Sequence, residues 1–132
     1  GSSAFVCSSD RPIDLARFRE VASANTQRMH SLMDLYLLQT DEIVRNLRTA
    51  AQAGDMEGIQ KLAHKGCGSS ATCGMNTIAS ALRELERHAR DNRQSDALVQ
   101  VETVSREFER IKTFLSGFFE SAPAAARKGG VP

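Results

Sequence analysis

The segment from Leu62 to Gly74 contains the residues best suited to chemistry in this sequence. It reads Leu-Ala-His-Lys-Gly-Cys-Gly-Ser-Ser-Ala-Thr-Cys-Gly. The neutral imidazole that histidine carries at cytoplasmic pH has an unprotonated ring nitrogen, so His64 can act as a nucleophile without a strong base. Gly66 and Gly68 fall inside a predicted helix, where each costs about 1 kcal/mol relative to alanine. This cost indicates that side chains are absent from these positions of the helix for a functional reason.

Helical geometry places His64 on the face opposite the apolar residues of its segment. At about 100° per residue, Gly68 lies about 40° and Ala71 about 20° from His64 around the helix axis. The residues on the far side are Leu62, Gly66 and Ile59. The pattern therefore predicts an exposed imidazole beside a cleared surface that a partner protein can approach.

Other interpretations of these residues compete with a surface nucleophile. His64 could be an ordinary solvated histidine, and His30 and His88 are interpreted as surface or boundary residues of their helices. A metal cluster of His64, Cys67 and Cys73 is disfavoured because Cys73 falls on the opposite face, and two convergent ligands do not make a structural zinc site. A redox thiol at Cys67 has only a nearby lysine to lower its pKa, which favours a passive small residue.

Length and composition limit the class of protein. The chain has 132 residues, 41% of them hydrophobic and 25% charged, which are values typical of one soluble globular domain. Seventeen Lys and Arg residues oppose sixteen Asp and Glu residues, for a net charge of +1. This balance does not favour nucleic acid or an anionic membrane as a partner. Three scattered cysteines do not form a disulfide framework, so we expect a cytoplasmic location.

The sequence predicts five helices flanked by two tails. Pro12 is suited to the first turn of a helix. The predicted helices cover residues 12–23, 26–53, 56–72, 75–92 and 96–119. Residues 1–9 and 121–132 lack hydrophobic periodicity and are predicted to be disordered, so the folded domain is expected to cover 10–120.

The last four predicted helices are long and amphipathic, and short connections join them. Gly54 is suited to end one of these helices and Asp55 to cap the next. Such helices can bury their apolar stripes only against near-antiparallel neighbours. We therefore predict an all-α fold, an antiparallel up-down-up-down four-helix bundle with a short additional N-terminal helix as a lid. The charged pairs of the fourth helix, including Glu86 and Arg87, are interpreted as a solvated face.

The segment also carries a motif that resembles a known family. His64, Gly68, Ser69 and Ser70 form the pattern His-x-x-x-Gly-Ser-Ser, and a further glycine follows at Gly74. In the third helix of such a bundle, this motif resembles the histidine-containing phosphotransfer (HPt) domain of bacterial and plant phosphorelays. The resemblance extends to the Ala-Gly-Asp turn at 53–55 and to the Leu-Glu pair at 85–86.

The motif departs from the family pattern at two positions. The family usually reads His-x-Leu-Lys-Gly, so Gly66 replaces the usual leucine and Cys67 replaces the lysine that the resemblance implies would steady the phosphoryl group. Lys61 lies about 60° from His64 around the helix and can reach the same face, whereas Lys65 lies about 100° away. Lys61 is therefore the preferred substitute cation.

The resemblance implies a role for each residue around the motif, with His64 as the phosphorylated histidine. Residues expected to stabilise the phosphoryl group or contact a receiver domain are Lys61, Lys65, Cys67, Gly68 and Ala71. Residues expected to serve helix packing are Gly66, Ser69, Ser70 and Gly74. For the two serines, close packing and hydrogen bonding to the backbone remain alternatives.

The function implied by the resemblance is that of a phosphorelay intermediate. His64 would accept a phosphoryl group from a receiver-domain phosphoaspartate and pass it to the aspartate of another receiver. The implied partners are response-regulator receiver domains, with a hybrid sensor kinase as the expected parent protein, and we expect a monomer. We expect no cofactor in this chain and a divalent metal, Mg²⁺, in the receiver's carboxylate pocket.

Two other functions remain as alternatives. The first is a helical interaction module that binds a receiver or kinase without accepting phosphate, and Cys67 in place of lysine favours it. The second is a bundle that binds a small ligand or a metal, which lacks the inward polar cluster that such sites need. Kinase activity of the chain itself is not expected, because the sequence has no glycine loop that could cradle a nucleotide phosphate.

Overall fold

The computed structural model describes residues 13–22 and 25–120, with side chains described up to residue 117. Its five helices are α1 (Leu15–Val21), α2 (Thr26–Ala53), α3 (Met56–Thr72), α4 (Asn76–Arg90) and α5 (Gln94–Glu120). Every regular element in these ranges is a helix, and α2 to α5 form the predicted bundle, so the predicted fold class is confirmed. The predicted tails, Pro12 and the first two residues of the predicted break at 23–25 lie outside the described residues.

The turn between α2 and α3 has the predicted chemistry. α2 ends at Gly54, which has a left-handed backbone with φ of 69°, a conformation that glycine adopts without a steric penalty. The Asp55 carboxylate accepts a hydrogen bond from the Gly58 amide at 2.9 Å and so caps α3. These two residues fix the point at which the helix carrying His64 begins.

The connection between α4 and α5 lies two residues earlier in the chain than predicted. α4 ends at Arg90 instead of residue 92, and α5 begins at Gln94 instead of residue 96. Asn92 closes the turn with a positive φ of 57°, which asparagine tolerates better than most residues. The amides of Asn92 and Arg93 donate to the carbonyls of Ala89 and His88. Because one left-handed residue is enough to reverse the chain, Ser95 belongs to α5.

The core lies along the inner faces of α2 to α5, where the predicted apolar stripes are found. Leu62, which the sequence places on the inner side of its helix, is half-buried at the edge of the core. Fully buried members from three helices include Leu47, Ile59, Leu82 and Leu85. Burying a side chain of this size contributes about 1.5–3 kcal/mol. The core therefore holds α3 and α4 rigidly against each other behind His64.

α1 packs against the turn between α3 and α4, as expected for a lid. The Phe18 side chain is fully buried, and the Asp14 amide donates to the Gly74 carbonyl at 2.7 Å. Gly74 has φ of 80°, and a Cβ there would lie 2.8 Å from the Asp14 carbonyl oxygen. Two physical causes thus favour glycine at position 74, a left-handed backbone and a close contact with the start of α1.

None of the described helices combines the length and the hydropathy that a membrane span requires.

Candidate functional site

His64 lies on the outer face of α3 and is paired with a residue of α4. Its side chain is 78% exposed, and its ring Nδ1 lies 3.0 Å from the Glu86 Oε2 atom. The Glu86 side chain is only 19% exposed. The carboxylate is thus held against the bundle and reaches out to the histidine ring.

This hydrogen bond determines which nitrogen of the ring is free to react. An ionised carboxylate can only accept, so Nδ1 is the donor and carries the ring hydrogen. In the neutral tautomer that results, Nε2 keeps its lone pair, and it lies across the ring from Glu86. An unprotonated nitrogen on an exposed ring is a nucleophile that a partner protein can reach.

The assignment of Glu86 to a solvated face was wrong. Glu86 follows the fully buried Leu85, and about 100° of rotation brings it to the edge of α4 that faces α3. Periodicity marks such a position as a helix boundary, but it does not show which residue of α3 lies opposite. The Leu-Glu pair noted in the family resemblance was the one signal in the sequence that pointed to Glu86.

Beyond His64 along α3, few side chains project from the outer surface of the helix. A Cβ built on Gly68 would have no other atom within 4 Å, so this position faces open space. Ala71, one turn further on, is exposed. The Thr72 hydroxyl is turned back onto the helix, where it donates to the Gly68 carbonyl at 2.9 Å. The cleared surface predicted beside His64 is therefore present in the structure.

The opposite face of α3 is buried and has its own polar contact. The Ser70 side chain is fully buried, and its Oγ lies 2.8 Å from the Tyr36 hydroxyl on α2. Burial raises the pKa of Tyr36 to about 12, although the hydrogen bond with Ser70 acts in the lowering direction. Ser69 instead donates to the Gly66 carbonyl at 3.3 Å. Ser69 thus makes a bond to the backbone, whereas Ser70 is buried and makes a side-chain bond between helices that neither alternative included.

Gly66 allows close packing of three helices. A Cβ at this position would lie 3.1 Å from Leu82 Cδ1 of α4 and 3.5 Å from Ile43 Cγ2 of α2. The first distance is shorter than nearly all contacts that Cβ atoms make in proteins. The absence of a side chain therefore lets both neighbouring helices approach α3.

The two described cysteines are both associated with the core. Cys67 is half-buried and packs against the core, while Cys73 is buried at the end of α3. Burial raises the pKa of the Cys73 thiol, with the Arg17 charge acting in the opposite direction. Within residues 13–22 and 25–120, no three His, Cys, Asp or Glu side chains form a group that could hold a metal ion. Cys7 lies outside the described residues.

The two lysines near His64 have different surroundings. Lys61 Nζ lies 3.1 Å from Glu57 Oε1, and both side chains are more than 70% exposed. Lys65 is exposed and has no ion-pair partner among the described residues. Lys61, the preferred substitute cation, is therefore available for a phosphoryl group only in competition with Glu57.

A helical bundle that presents one exposed histidine, oriented by a carboxylate and followed by a bare surface, has the features of a histidine phosphotransfer domain. A family model described as the Hpt domain matches residues 31–114. The chain therefore belongs to the Hpt domain family, which places it among the phosphotransfer domains of two-component phosphorelays. The match covers most of α2 to α5, and α1 precedes it.

A solved structure agrees with this assignment. Histidine-containing phosphotransfer protein B (HptB) from Pseudomonas aeruginosa PAO1 resembles the chain with a TM-score of 0.77 and 25% sequence identity. The match covers 85% of this chain and 97% of that one. No curated protein matches the sequence at a significant level.

Proposed function

We propose that this chain is a phosphorelay intermediate in which His64 accepts a phosphoryl group from a receiver-domain phosphoaspartate and passes it to an aspartate of another receiver. One observation carries the proposal. The exposed His64 ring is held through Nδ1 by Glu86 at 3.0 Å, which leaves Nε2 open to solvent beside a bare surface. Membership of the Hpt family and the likeness to HptB support the same reaction class.

The transfer step needs few groups from this chain. The Nε2 lone pair attacks phosphorus, an N–P bond forms, and the P–O bond to the aspartyl carboxylate breaks, so that the bonding electrons leave with the carboxylate. The ring gains positive charge while Nδ1 keeps its proton. Glu86 accepts a hydrogen bond from that proton, and its negative charge opposes the charge that develops on the ring. Transfer to the next receiver reverses these bond changes.

The surface beside His64 fits the approach of a receiver. Gly68 and Ala71 leave no large side chain in the path of a partner, so an aspartyl phosphate in a receiver pocket can reach Nε2. The divalent metal that neutralises the transferring oxygens is assigned to the receiver's carboxylate pocket. We expect the chain to act as a cytoplasmic monomer, without contact to nucleic acid or membrane.

A second candidate function is a domain that binds receivers without accepting phosphate. It is favoured by Cys67, which stands where the family pattern has a lysine. On this hypothesis, the exposed histidine and its bare surroundings are retained for docking alone. The two functions differ in whether a covalent N–P bond is ever formed.

The experiment that tests both is transfer from a panel of receiver domains phosphorylated by a small-molecule donor. We expect the chain to acquire an acid-labile, base-stable phosphate that mass spectrometry locates on His64. The matched control is His30→Gln, which removes another histidine and is expected to label normally. Receiver binding without labelling supports the interaction module, whereas labelling of another residue contradicts the proposed site.

A further inference from the structure

A groove lies between α2 and α5, on the side of the bundle away from His64. The helices are neighbours in the order α2, α3, α4 and α5, and α5 also packs against α2. Because His64 meets Glu86 where α3 packs on α4, the junction of α2 and α5 is on the opposite side. The groove therefore stays open while a receiver occupies the surface beside His64.

Charged side chains of both helices form the walls of the groove, which has a volume of about 230 Å³. The buried Ser105 and Phe108 lie at its floor. This volume is below the 300–1,000 Å³ of typical small-molecule sites, so the groove fits a small ion or a single side chain. The charged residues of the walls are Asp41, Arg45 and Arg48 of α2 and Glu102, Arg106 and Glu109 of α5.

The two arginines that α2 contributes are held only by weak ion pairs. Arg45 Nε lies 3.1 Å from Asp41 Oδ2, and Arg48 Nη2 lies 4.0 Å from Glu102 Oε1. The four side chains are between 48% and 69% exposed. Exposed pairs of this kind contribute little to stability, so an incoming anion can displace either carboxylate.

Arg106, the arginine that α5 contributes, has no carboxylate partner among the described residues. Its Nη2 atom donates to the Thr103 hydroxyl at 3.2 Å. The remaining acid of the walls, Glu109, is paired with Lys112 at 2.7 Å. Three guanidinium groups thus share two carboxylates that are not engaged elsewhere, which leaves the groove with a surplus of one positive charge.

The hydroxyl at the floor of the groove adds a further polar group. Ser105 is 7% exposed, and its Oγ accepts a hydrogen bond from Arg48 Nε at 3.2 Å. The same hydroxyl still has its hydrogen to donate. Guanidinium groups from two helices and one hydroxyl therefore line a single opening. Oxyanions such as phosphate and carboxylate are bound by donors of this kind.

We propose that the groove between α2 and α5 is a binding site for an oxyanion, a phosphate or carboxylate group, held by Arg48, Arg106 and the Ser105 hydroxyl. The bound group neutralises the surplus charge and links the two helices. The site does not use His64, so it is separate from the proposed phosphotransfer. The oxyanion arrives either as a free ion or as an acidic side chain of a protein that binds opposite the receiver.

The test titrates the full chain with sodium phosphate and, separately, with a capped Gly-Asp-Asp-Gly peptide, and follows the amide resonances of Ser105 and Arg106 by NMR. Sodium chloride at matched ionic strength is the control for screening. We expect saturable shifts with at least one probe, and the probe that binds more tightly identifies the source of the group. Shifts equal to those with chloride for both probes would overturn the inference.

Arg106→Gln is expected to weaken binding of that probe by about three- to tenfold, a range between an exposed ion pair and a hydrogen bond to a charged group. Arg110→Gln is the matched control, since it removes the same residue type from the next turn of α5. Arg110 is paired with Glu107 at 2.9 Å and does not line the groove. It should bind the probe as the unmodified chain does. Equal weakening by the two variants would indicate general attraction of anions and contradict the site.

Loading of His64 by phosphoramidate separates this site from the proposed function. Arg106→Gln should load at the rate of the unmodified chain, because the groove lies on the opposite side of the bundle. An unmodified chain that binds a probe in the groove but does not load on His64 contradicts the proposed function alone. A chain that loads normally and binds neither probe contradicts the oxyanion site alone.

Discussion

The outer face of α3, defined by His64, Gly68 and Ala71, differs from the inner face, defined by Gly66 and Ser70, in what its small residues do. On the inner face, a side chain at Gly66 would meet Leu82 at 3.1 Å, so the glycine serves contact between helices. On the outer face, a side chain at Gly68 would meet nothing within 4 Å. Among the described residues, no contact requires the absence of a side chain at Gly68.

The comparison separates two reasons for a costly residue. Each helical glycine lowers helix stability by about 1 kcal/mol relative to alanine. Close packing compensates for that loss at Gly66, whereas no contact in the described structure does so at Gly68. A residue that destabilises its own fold without an internal contact is best explained by a partner. Substitutions on the two faces should therefore affect different measurements.

The largest expected effect is on the outer face, where His64→Gln should abolish phosphate acceptance completely. The free energy of unfolding should change by less than about 0.5 kcal/mol, since the side chain is exposed and the glutamine amide can still donate to Glu86. Labelling by phosphoramidate and urea denaturation measure the two quantities. A cooperative loss of fold would show instead that the histidine is structural.

On the inner face, the buried Tyr36–Ser70 contact should make stability fall at high pH. The pKa of Tyr36 is raised to about 12 in the folded chain and is about 10 when unfolded, so the protonated phenol favours the folded state. This contribution is complete below pH 10 and is lost between pH 10 and 12. It amounts to about 2–3 kcal/mol.

Tyr36→Phe isolates this effect, because every other titrating group remains. The difference in unfolding free energy between the two chains should be constant below pH 10 and should change between pH 10 and 12. A pH-independent difference would contradict the buried phenol. Phosphate acceptance at neutral pH should be the same in both chains, since Tyr36 lies on the face remote from Nε2.

The third prediction concerns position 66, where leucine is the usual residue of the family. Gly66→Leu should lower the free energy of unfolding by about 1–3 kcal/mol, because the new side chain overlaps Leu82 and Ile43. Gly68→Leu is the matched control, and it should leave stability unchanged or increase it. Equal effects of the two substitutions in urea denaturation would remove the distinction between the faces.

The bundle itself could be predicted from the sequence because it depends on periodicity and helix ends. The stripes of α2 to α5, the left-handed Gly54 and the capping Asp55 are all local signals. The exposed His64 and bare Gly68 follow from the same geometry within one helix. Each of these features needs only residues that are near each other in the chain.

Contacts between helices were not predictable in the same way. The Glu86 partner of His64 and the Tyr36 partner of Ser70 depend on how α2, α3 and α4 are positioned relative to one another. A helical wheel gives the direction in which a side chain points, but it does not show which residue of the neighbouring helix lies opposite. The charge at Glu86 was therefore assigned to solvent, although it is part of the site.

The fourth prediction is that one substitution at Gly68 raises the stability of the chain and lowers the rate of phosphoryl transfer from a receiver. Gly68→Gln should stabilise the chain by up to about 1 kcal/mol, because glutamine is the better helix former. It should also slow transfer from a receiver, since the new side chain occupies the space beside the His64 ring. Loading by phosphoramidate, which needs little room, should be much less affected. Unchanged receiver transfer would show that the bare surface has no docking role.

The smallest expected effect concerns Lys61, the substitute cation predicted from the sequence. The Lys61–Glu57 ion pair at 3.1 Å already uses part of its charge, and exposed charge pairs contribute less than about 1 kcal/mol. Lys61→Ala should therefore slow receiver transfer by several-fold at most. Cys67→Lys should restore the rate in the Lys61→Ala chain, because it places a cation at the usual family position. If Lys61→Ala leaves both the transfer rate and the phosphohistidine lifetime unchanged at low salt, Lys61 does not replace the usual family cation, and the receiver supplies the neutralising charge by itself.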